Sequence, residues 1–218
     1  MYKRQFPESI FFTVFIGSFV VELSVLVIDF ERSIPFIINF DAVIIGGYAG
    51  SANPTDPDEK NPDAYPTVIT GDLLGNDPGL LEPSKVDPTA PDPLRIDNST
   101  ALFEISAPAD LSGLTLTGAY NEQGGRGGAV NAETAYALVL QQCHFLGNYA
   151  EWGGAIYTKR SVHIWECEFT NNCSASSGGA AYFGHVMSCD YYKCWLNEGN
   201  ALVDRTVFTN NHSLLGSG

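Results

Sequence analysis

Positive charge is scarce in this chain. Eleven Lys and Arg stand against 25 Asp and Glu, a net charge of −14 over 218 residues. Such a surface repels phosphate backbones and anionic headgroups, which argues against nucleic acid or a membrane surface as a direct partner. Charge of either sign is low as well: 17 % of residues are charged, below the usual quarter. No C-x-x-C pair occurs, and the four histidines (His144, His163, His185, His212) lack metal-ligand spacing, so zinc is not expected. There is no nucleophile elbow, no P-loop, no G-x-G-x-x-G after a strand and no H-E-x-x-H. The glycine-rich GGRGGA at 124–129 falls at a corner of a repeat and is not read as a phosphate cradle.

What the chain does have is a period. Glycine pairs begin at Gly127, Gly153 and Gly178, steps of 26 and 25. Aromatic residues close apolar runs at Phe145, Phe169 and Trp195, steps of 24 and 26. Two independent markers sharing one period are the signature of a stacked repeat. The runs between them are rich in Val, Ile, Tyr, Phe and Trp, and Trp165, Cys167 and Phe169 alternate as a strand does. About 25 residues hold three strands of about five residues with their turns, but not two packed helices. The step from Val43 to Val68 is again 25 and places the start of the repeat there. Gly153 and Gly154 supply the positive φ or close backbone approach that a corner needs, and Ala155 fits the cramped space after them. Asn171 and Asn172 fall at a turn, where stacked coils would set asparagine amides above one another at about 4.8 Å.

The C-x-F-x-x-N … G-G-A-[IV] alternation resembles the repeats of chlamydial polymorphic outer membrane proteins and the right-handed parallel β-helix domains of many bacterial surface proteins. The residues that carry the likeness are Cys143, Phe145, Asn148, Gly153, Gly154, Ala155 and Ile156, then Cys167, Phe169, Asn172, Gly178, Gly179 and Ala180. Trp195, Phe208 and Asn211 continue it with departures: Trp replaces Phe, Glu198 stands where Asn is expected, and Trp195 to Phe208 is only 13 residues. Two earlier segments, Ala42 to Asp72 and Leu111 to Ala119, resemble the opening coils of such domains. The resemblance implies an all-β, single-stranded right-handed parallel β-helix over residues 41–218, expected to be incomplete at its C-terminus, with its N-terminal completeness left open. It also implies an extracellular, cell-surface or outer-membrane setting.

Residues 51–110 hold 10 of the 12 prolines and 12 of the 25 acidic residues. In NPTDPDEKNPDAYP and GNDPGLLEPSKVDPTAPDPLRIDN such proline density forbids helix or central strand, while Thr67 to Thr70 and Ala101 to Ile105 read as strands. We therefore expect two long acidic loops, 51–66 and 72–100, projecting from the first coils. In the second, Asp72, Asn76 and Asp77 could hold Ca²⁺, although a plain turn explains the same residues; no other cofactor is expected. MYKRQ at 1–5 matches the translated end of a transposon-based sequencing adapter, which makes those residues an expected artefact on a metagenomic fragment. Residues 6–40 are an apolar segment in which Ile10 to Ile28 imitates a signal or membrane segment without an A-x-A site; strands or a frame-shifted stretch are the alternatives. Cys143 and Cys167 hold equivalent places in successive coils and should stack inward as free thiols. A disulfide is open to Cys189 with Cys194 or with Cys173.

Two functions compete. One is a non-catalytic structural or adhesive segment of a larger secreted or surface-exposed protein, meeting host or matrix protein or glycan, with membrane association only through parts beyond this chain. The other is a polysaccharide lyase or glycoside hydrolase, an idea that rests on fold analogy. An enzyme needs outward carboxylates and bases gathered on one face of adjacent coils. The polar residues available, Glu151, Lys159, Arg160, His163, Glu166, Glu168, Asp190, Asp204 and Arg205, show no such clustering by spacing, so ordinary solvated surface is preferred and no catalytic residue is assigned.

Overall fold

The computed structural model describes residues 12–16, 19–23, 35–122, 124–184, 186–189, 194–197 and 201–216, with backbone pairing alone described for 12–16, 19–23, 186–189 and 194–197. The chain winds as a parallel β-helix in which each strand pairs in register with its counterpart one coil later. Four faces recur in the order D, A, B, C. Face A contains Ala42–Ile45, Ala109–Ser112, Ala137–Gln141, Ser161–Trp165 and Ala201–Asp204. Face B contains Thr67–Thr70, Leu114–Thr117, His144–Leu146, Glu168–Thr170 and Val207–Thr209. Face C contains Tyr149–Trp152, Cys173–Ser177 and His212–Ser213. Face D contains Phe36–Ile38, Phe103–Ile105, Val130–Ala132, Ile156–Thr158 and Ala181–Phe183. A complete coil thus has four short strands rather than the three expected, because strands of three residues, such as Ile156–Thr158, need less chain.

Corners account for the short strands. Three recur per coil, and each is held by a left-handed residue. Gly113, Gln142, Glu166 and Arg205 turn face A into face B, with φ of 65°, 51°, 53° and 45°. Gly118, Gly147, Asn171 and Asn210 end face B, at 71°, 62°, 58° and 52°. Gly127, Gly153 and Gly178 lead into face D, at 60°, 66° and 71°. The second glycine of each pair answers a different demand: a Cβ on Gly128 would lie 2.5 Å from the Gly154 carbonyl oxygen of the next coil. The first member thus meets both demands, since a Cβ on Gly153 would also clash with the Ile156 carbonyl oxygen, and the second meets close approach alone.

The corner at Glu166 also breaks the strand alternation. Val162 and Ile164 point inward before it, Cys167 and Phe169 after it, and all four are buried. Trp165, read from the sequence as in phase with Cys167, faces outward, with Arg205 4.7 Å above its ring. The core is a set of columns. Leu111, Leu140 and Ile164 stack on face A, Leu116, Phe145 and Phe169 on face B, and Phe103, Val130 and Ile156 on face D.

Two expected registers are corrected. Val43 pairs with Asp110 on face A, whereas Val68 pairs with Thr115 on face B, so their spacing of 25 joins two different faces and is no repeat step. Trp195 is not the rung after Phe169. Its strand, Cys194–Asn197, pairs antiparallel with Val186–Cys189 as a hairpin, and Phe208 pairs with Phe169 instead. That hairpin lengthens the last coil, so Asn211 follows Asn172 by 39 residues where Asn172 follows Asn148 by 24. The step of 13 from Trp195 to Phe208, read from the sequence as a shortened or misregistered coil, is therefore a matter of register in a lengthened one.

Of the apolar segment 6–40, Phe12–Ile16 and Phe19–Leu23 form an antiparallel pair, and the first of these pairs antiparallel with Ala42–Ile45. Phe36–Ile38 opens face D. Among the described residues, no helix is long and apolar enough to cross a membrane. Residues 1–5, Asp190 and Glu198 lie outside the described residues.

Candidate functional site

Three arrangements are candidates for function: the inner ladders, a charged cluster outside face D, and a cleft in the acidic loop at 72–100. The ladders come first because they hold the others in place. Phe145 and Phe169 stack at 4.5 Å with planes 5° apart, and Phe169 and Phe208 at 4.9 Å and 9°. Beside them Asn148 and Asn172 are fully buried. The Asn148 amide donates to Asn172 Oδ1 at 3.0 Å, and the Asn172 amide donates to Asn211 Oδ1 at 3.0 Å. Each also donates to a backbone carbonyl one coil back, Asn148 to Leu116 at 3.0 Å and Asn172 to Phe145 at 2.8 Å. The backbone N–H of Asn148 donates to Asn172 Oδ1, and that of Asn172 to Asn211 Oδ1. The buried amides are thus satisfied on both sides, as a low-dielectric interior demands. Asn171, the other asparagine of the turn, is the left-handed corner itself and receives the Asn210 amide at 2.7 Å on the outside.

Cys143, Cys167 and Cys173 are free and buried. Cys143 and Cys167 stack, with the Cys143 backbone N–H directed at Cys167 Sγ at 3.4 Å. Burial pushes the Cys143 thiol well up, and pushes Cys173 up to about 12. A disulfide from Cys189 to Cys173 is therefore not present; the side chains of Cys189 and Cys194 lie outside the described residues, although the two positions face each other across the hairpin.

The polar residues singled out in the sequence are spread around the coil. His163 lies on face A, Glu168 on face B, Glu151 on face C, and Lys159 and Arg160 at the corner after face D. Glu166, Asp204 and Arg205 meet at the face A corner, where Arg205 binds Glu166 at 2.7 Å and Asp204 at 3.5 Å. A tighter group joins Lys159 to residues not singled out in the sequence. Outside face D, Lys159 Nζ lies 2.6 Å from Glu133, which also binds Arg126. Asn131 donates to both carboxylate oxygens of Glu104 at 3.0 Å. Tyr157, buried, lies beneath Arg126 at 5.2 Å and stacks on Tyr182 at 5.2 Å. The two carboxylates are pushed apart. Burial raises Glu104 above its ordinary value, helped by the charge of Glu133. Burial would raise Glu133 too, but Lys159 and Arg126 outweigh it and hold Glu133 below. Glu133 and Lys159 are one coil step of 26 residues apart, each directly after a paired residue of face D, Ala132 and Thr158, while Arg126 sits on the connection before Gly127.

The loop at 72–100 does not project; it packs along face C. Leu81, Tyr120, Tyr149 and Cys173 form a second small core beneath it, with Tyr120 and Tyr149 stacked at 4.8 Å. Gly147 is required where the loop crosses, since a Cβ there would meet the Leu81 nitrogen at 2.9 Å. Arg95 ties the loop down. It is buried, binds Asp77 at 2.5 Å and donates to the Gly79 carbonyl at 2.6 Å. Asn98, fully buried, links Asp77 at 3.0 Å to the Gly118 carbonyl of the coil at 2.8 Å. Asp72 Oδ1 accepts the backbone N–H groups of Gly75 and Asn76, closing a turn, while Asp77 turns to Arg95. Among the described residues no group of three or more His, Cys, Asp or Glu is arranged to hold a metal ion. Pro78, Leu81, Val86, Pro91 and Pro93 wall a cleft of about 510 Å³ in this loop.

In-register coils with continuous Phe and Asn ladders define a parallel β-helix repeat protein. Residues 142–159 and 166–184 match the Chlamydia polymorphic membrane protein (Chlamydia_PMP) repeat. Both matches open at the equivalent left-handed corners Gln142 and Glu166. No curated protein and no solved structure gives a significant match.

Proposed function

We propose that this chain is a non-catalytic structural or adhesive segment of a larger surface-exposed bacterial protein, presenting its acidic loop and flat sheet faces to host or matrix protein or glycan. The observation that carries this reading is the contrast between inside and outside. Inward positions repeat from coil to coil, whereas the outward column of face B runs Val68, Thr115, His144, Glu168, Val207. Repetition within and variety without suit a scaffold selected for winding, whose exposed face is free to vary. The match to a repeat of polymorphic membrane proteins supports the outer membrane or cell surface as its setting. The test is an array of immobilised matrix proteins and glycans probed with the purified chain. Saturable capture without product release supports the proposal, and capture of nothing on either array overturns the adhesive part.

The second reading, a polysaccharide lyase or hydrolase, is favoured by one observation: the opposed environments of Glu104 and Glu133 on adjoining turns. Separation of two carboxylates in this way is how acid and base roles are assigned. Release of unsaturated or reducing ends from polygalacturonate or alginate, abolished by Glu133→Gln, establishes the enzyme; no release from either polymer removes it.

A further inference from the structure

The cleft in the acidic loop carries more charge than it neutralises. Its volume of about 510 Å³ lies within the range of about 300–1,000 Å³ usual for small-ligand sites. Its floor is apolar, with Leu81 and Tyr120 each 3 % exposed, and prolines form much of the wall. Prolines fix φ, so the wall is preformed and little ordering entropy is lost when it is filled. Around this floor stand Glu82, Asp87 and Asp92, with Lys85 and Arg95 as the cations. Both cations are engaged. Lys85 binds Glu82 at 2.7 Å, and Arg95 is shared between Asp77 at 2.5 Å and Asp92 at 3.4 Å. Three carboxylates of the lining, with Asp77 behind Arg95 as a fourth, therefore meet two cations, and Asp87 has no cationic partner among the residues lining the cleft. Asp87 Oδ1 instead accepts the Thr89 hydroxyl at 2.6 Å and the Thr89 backbone N–H at 2.8 Å. Those bonds hold its carboxyl below the ordinary value, so it is charged at neutral pH. The −14 charge of the whole chain adds a long-range field of the same sign.

An apolar slot with an acidic rim fits an aliphatic stem that ends in a cation. We propose that this cleft is a docking site for a lysine side chain of a basic peptide partner, the stem lying on Leu81, Val86 and the prolines and the ammonium reaching Asp87. The inference deepens the adhesive reading and rests on it only in taking this face to be exposed to partners. A peptide experiment on the purified chain decides it whatever the matrix array shows.

The probe is a fluorescein-labelled Gly-Lys-Gly peptide, compared by anisotropy at low salt with its norleucine and glutamate counterparts on the full chain. The lysine peptide binds at least about tenfold tighter than the norleucine peptide and loses affinity as salt is raised. Ala90→Trp, which fills the cleft, removes binding while the circular dichroism spectrum stays native, and Asp87→Asn weakens binding several-fold. Equal binding of the norleucine or glutamate peptide overturns the proposal, as does no binding of the lysine peptide. Retained binding in a folded Ala90→Trp also overturns it. Should Ala90→Trp fail to fold, Asp87→Asn at its exposed site decides alone, and unchanged affinity there counts against the proposal.

Discussion

Replacing Phe169 by Ala tests the winding of the chain most directly. The ring is 0 % exposed and lies between two parallel rings, Phe145 at 4.5 Å and Phe208 at 4.9 Å. Truncation removes the buried ring, opens a cavity that rigid strands on either side cannot collapse, and deletes two stacking contacts. Burial and cavity together give about 3–5 kcal/mol. Phe208 offers an internal comparison, since it is 48 % exposed and, among the described residues, stacks on Phe169 alone. Its truncation should cost about 1–2 kcal/mol, half the area term and one stack. Phe169→Leu, which keeps most of the volume, should cost about 1–1.5 kcal/mol. Urea unfolding followed by far-ultraviolet circular dichroism measures all three. A double-mutant cycle adds a geometric check. Phe145 and Phe169 touch and should couple by more than about 0.5 kcal/mol, while Phe145 and Phe208, two coils apart with Phe169 between them, should couple more weakly. A cost below about 1 kcal/mol for Phe169→Ala, or equal costs for Phe169→Ala and Phe208→Ala, would show that these rings are not stacked in a shared interior.

Asn172→Ala strips partners from the Asn148 amide, the Asn148 backbone N–H and the Phe145 carbonyl, and should destabilise by about 3 kcal/mol or more in the same unfolding assay. Gly154→Ala should destabilise strongly because its Cβ would meet the Cys173 carbonyl oxygen at 2.5 Å, whereas Gly118→Asn should be nearly neutral in thermal melts. Gly118 has no neighbour nearer than 3.4 Å to a built Cβ and shares its left-handed corner with Asn171 and Asn210. Glu133 is held below its ordinary value of 4.5 by Lys159 and Arg126, so its contribution is present above that pH and is lost as pH falls through the lowered native value. Glu133→Gln should accordingly flatten the acid limb of a stability-versus-pH curve, and an unchanged limb counts against the clamp. Cys143, Cys167 and Cys173 should react with a thiol reagent no faster than the chain unfolds, since burial raises Cys143 and Cys173; rapid reaction of all three in native buffer would contradict their burial.

How much was legible in the sequence follows from what repeats. Cys143 and Cys167, Phe145 and Phe169, and Asn148 and Asn172 each lie 24 residues apart, and each pair is found in register. The left-handed corners at Gln142, Glu166 and Arg205 could not be seen, because side chains that seldom take positive φ occupy them. Missing them put Trp165 inside and hid the fourth strand. The equal spacing of Val43 and Val68 misled because a long loop happens to separate two faces by one period. Trp195 misled for the converse reason: a hairpin inserted into the coil carries its own aromatic residue.

The amino-acid order by itself therefore determined that this chain stacks on itself and that the rungs at Cys143, Phe145 and Asn148 recur at Cys167, Phe169 and Asn172, since identical side chains must recur wherever coils repeat one environment. Only the tertiary structure decided where non-repeating residues go. It laid the acidic loop along face C through Arg95 and Asn98, and it brought Arg126, Glu133 and Lys159 together outside face D. The Arg95, Asn98 and Arg126 contacts join positions with no common period, so their proximity follows from the path of the backbone and leaves no trace in spacing, whereas Glu133 and Lys159 stand one coil step of 26 residues apart.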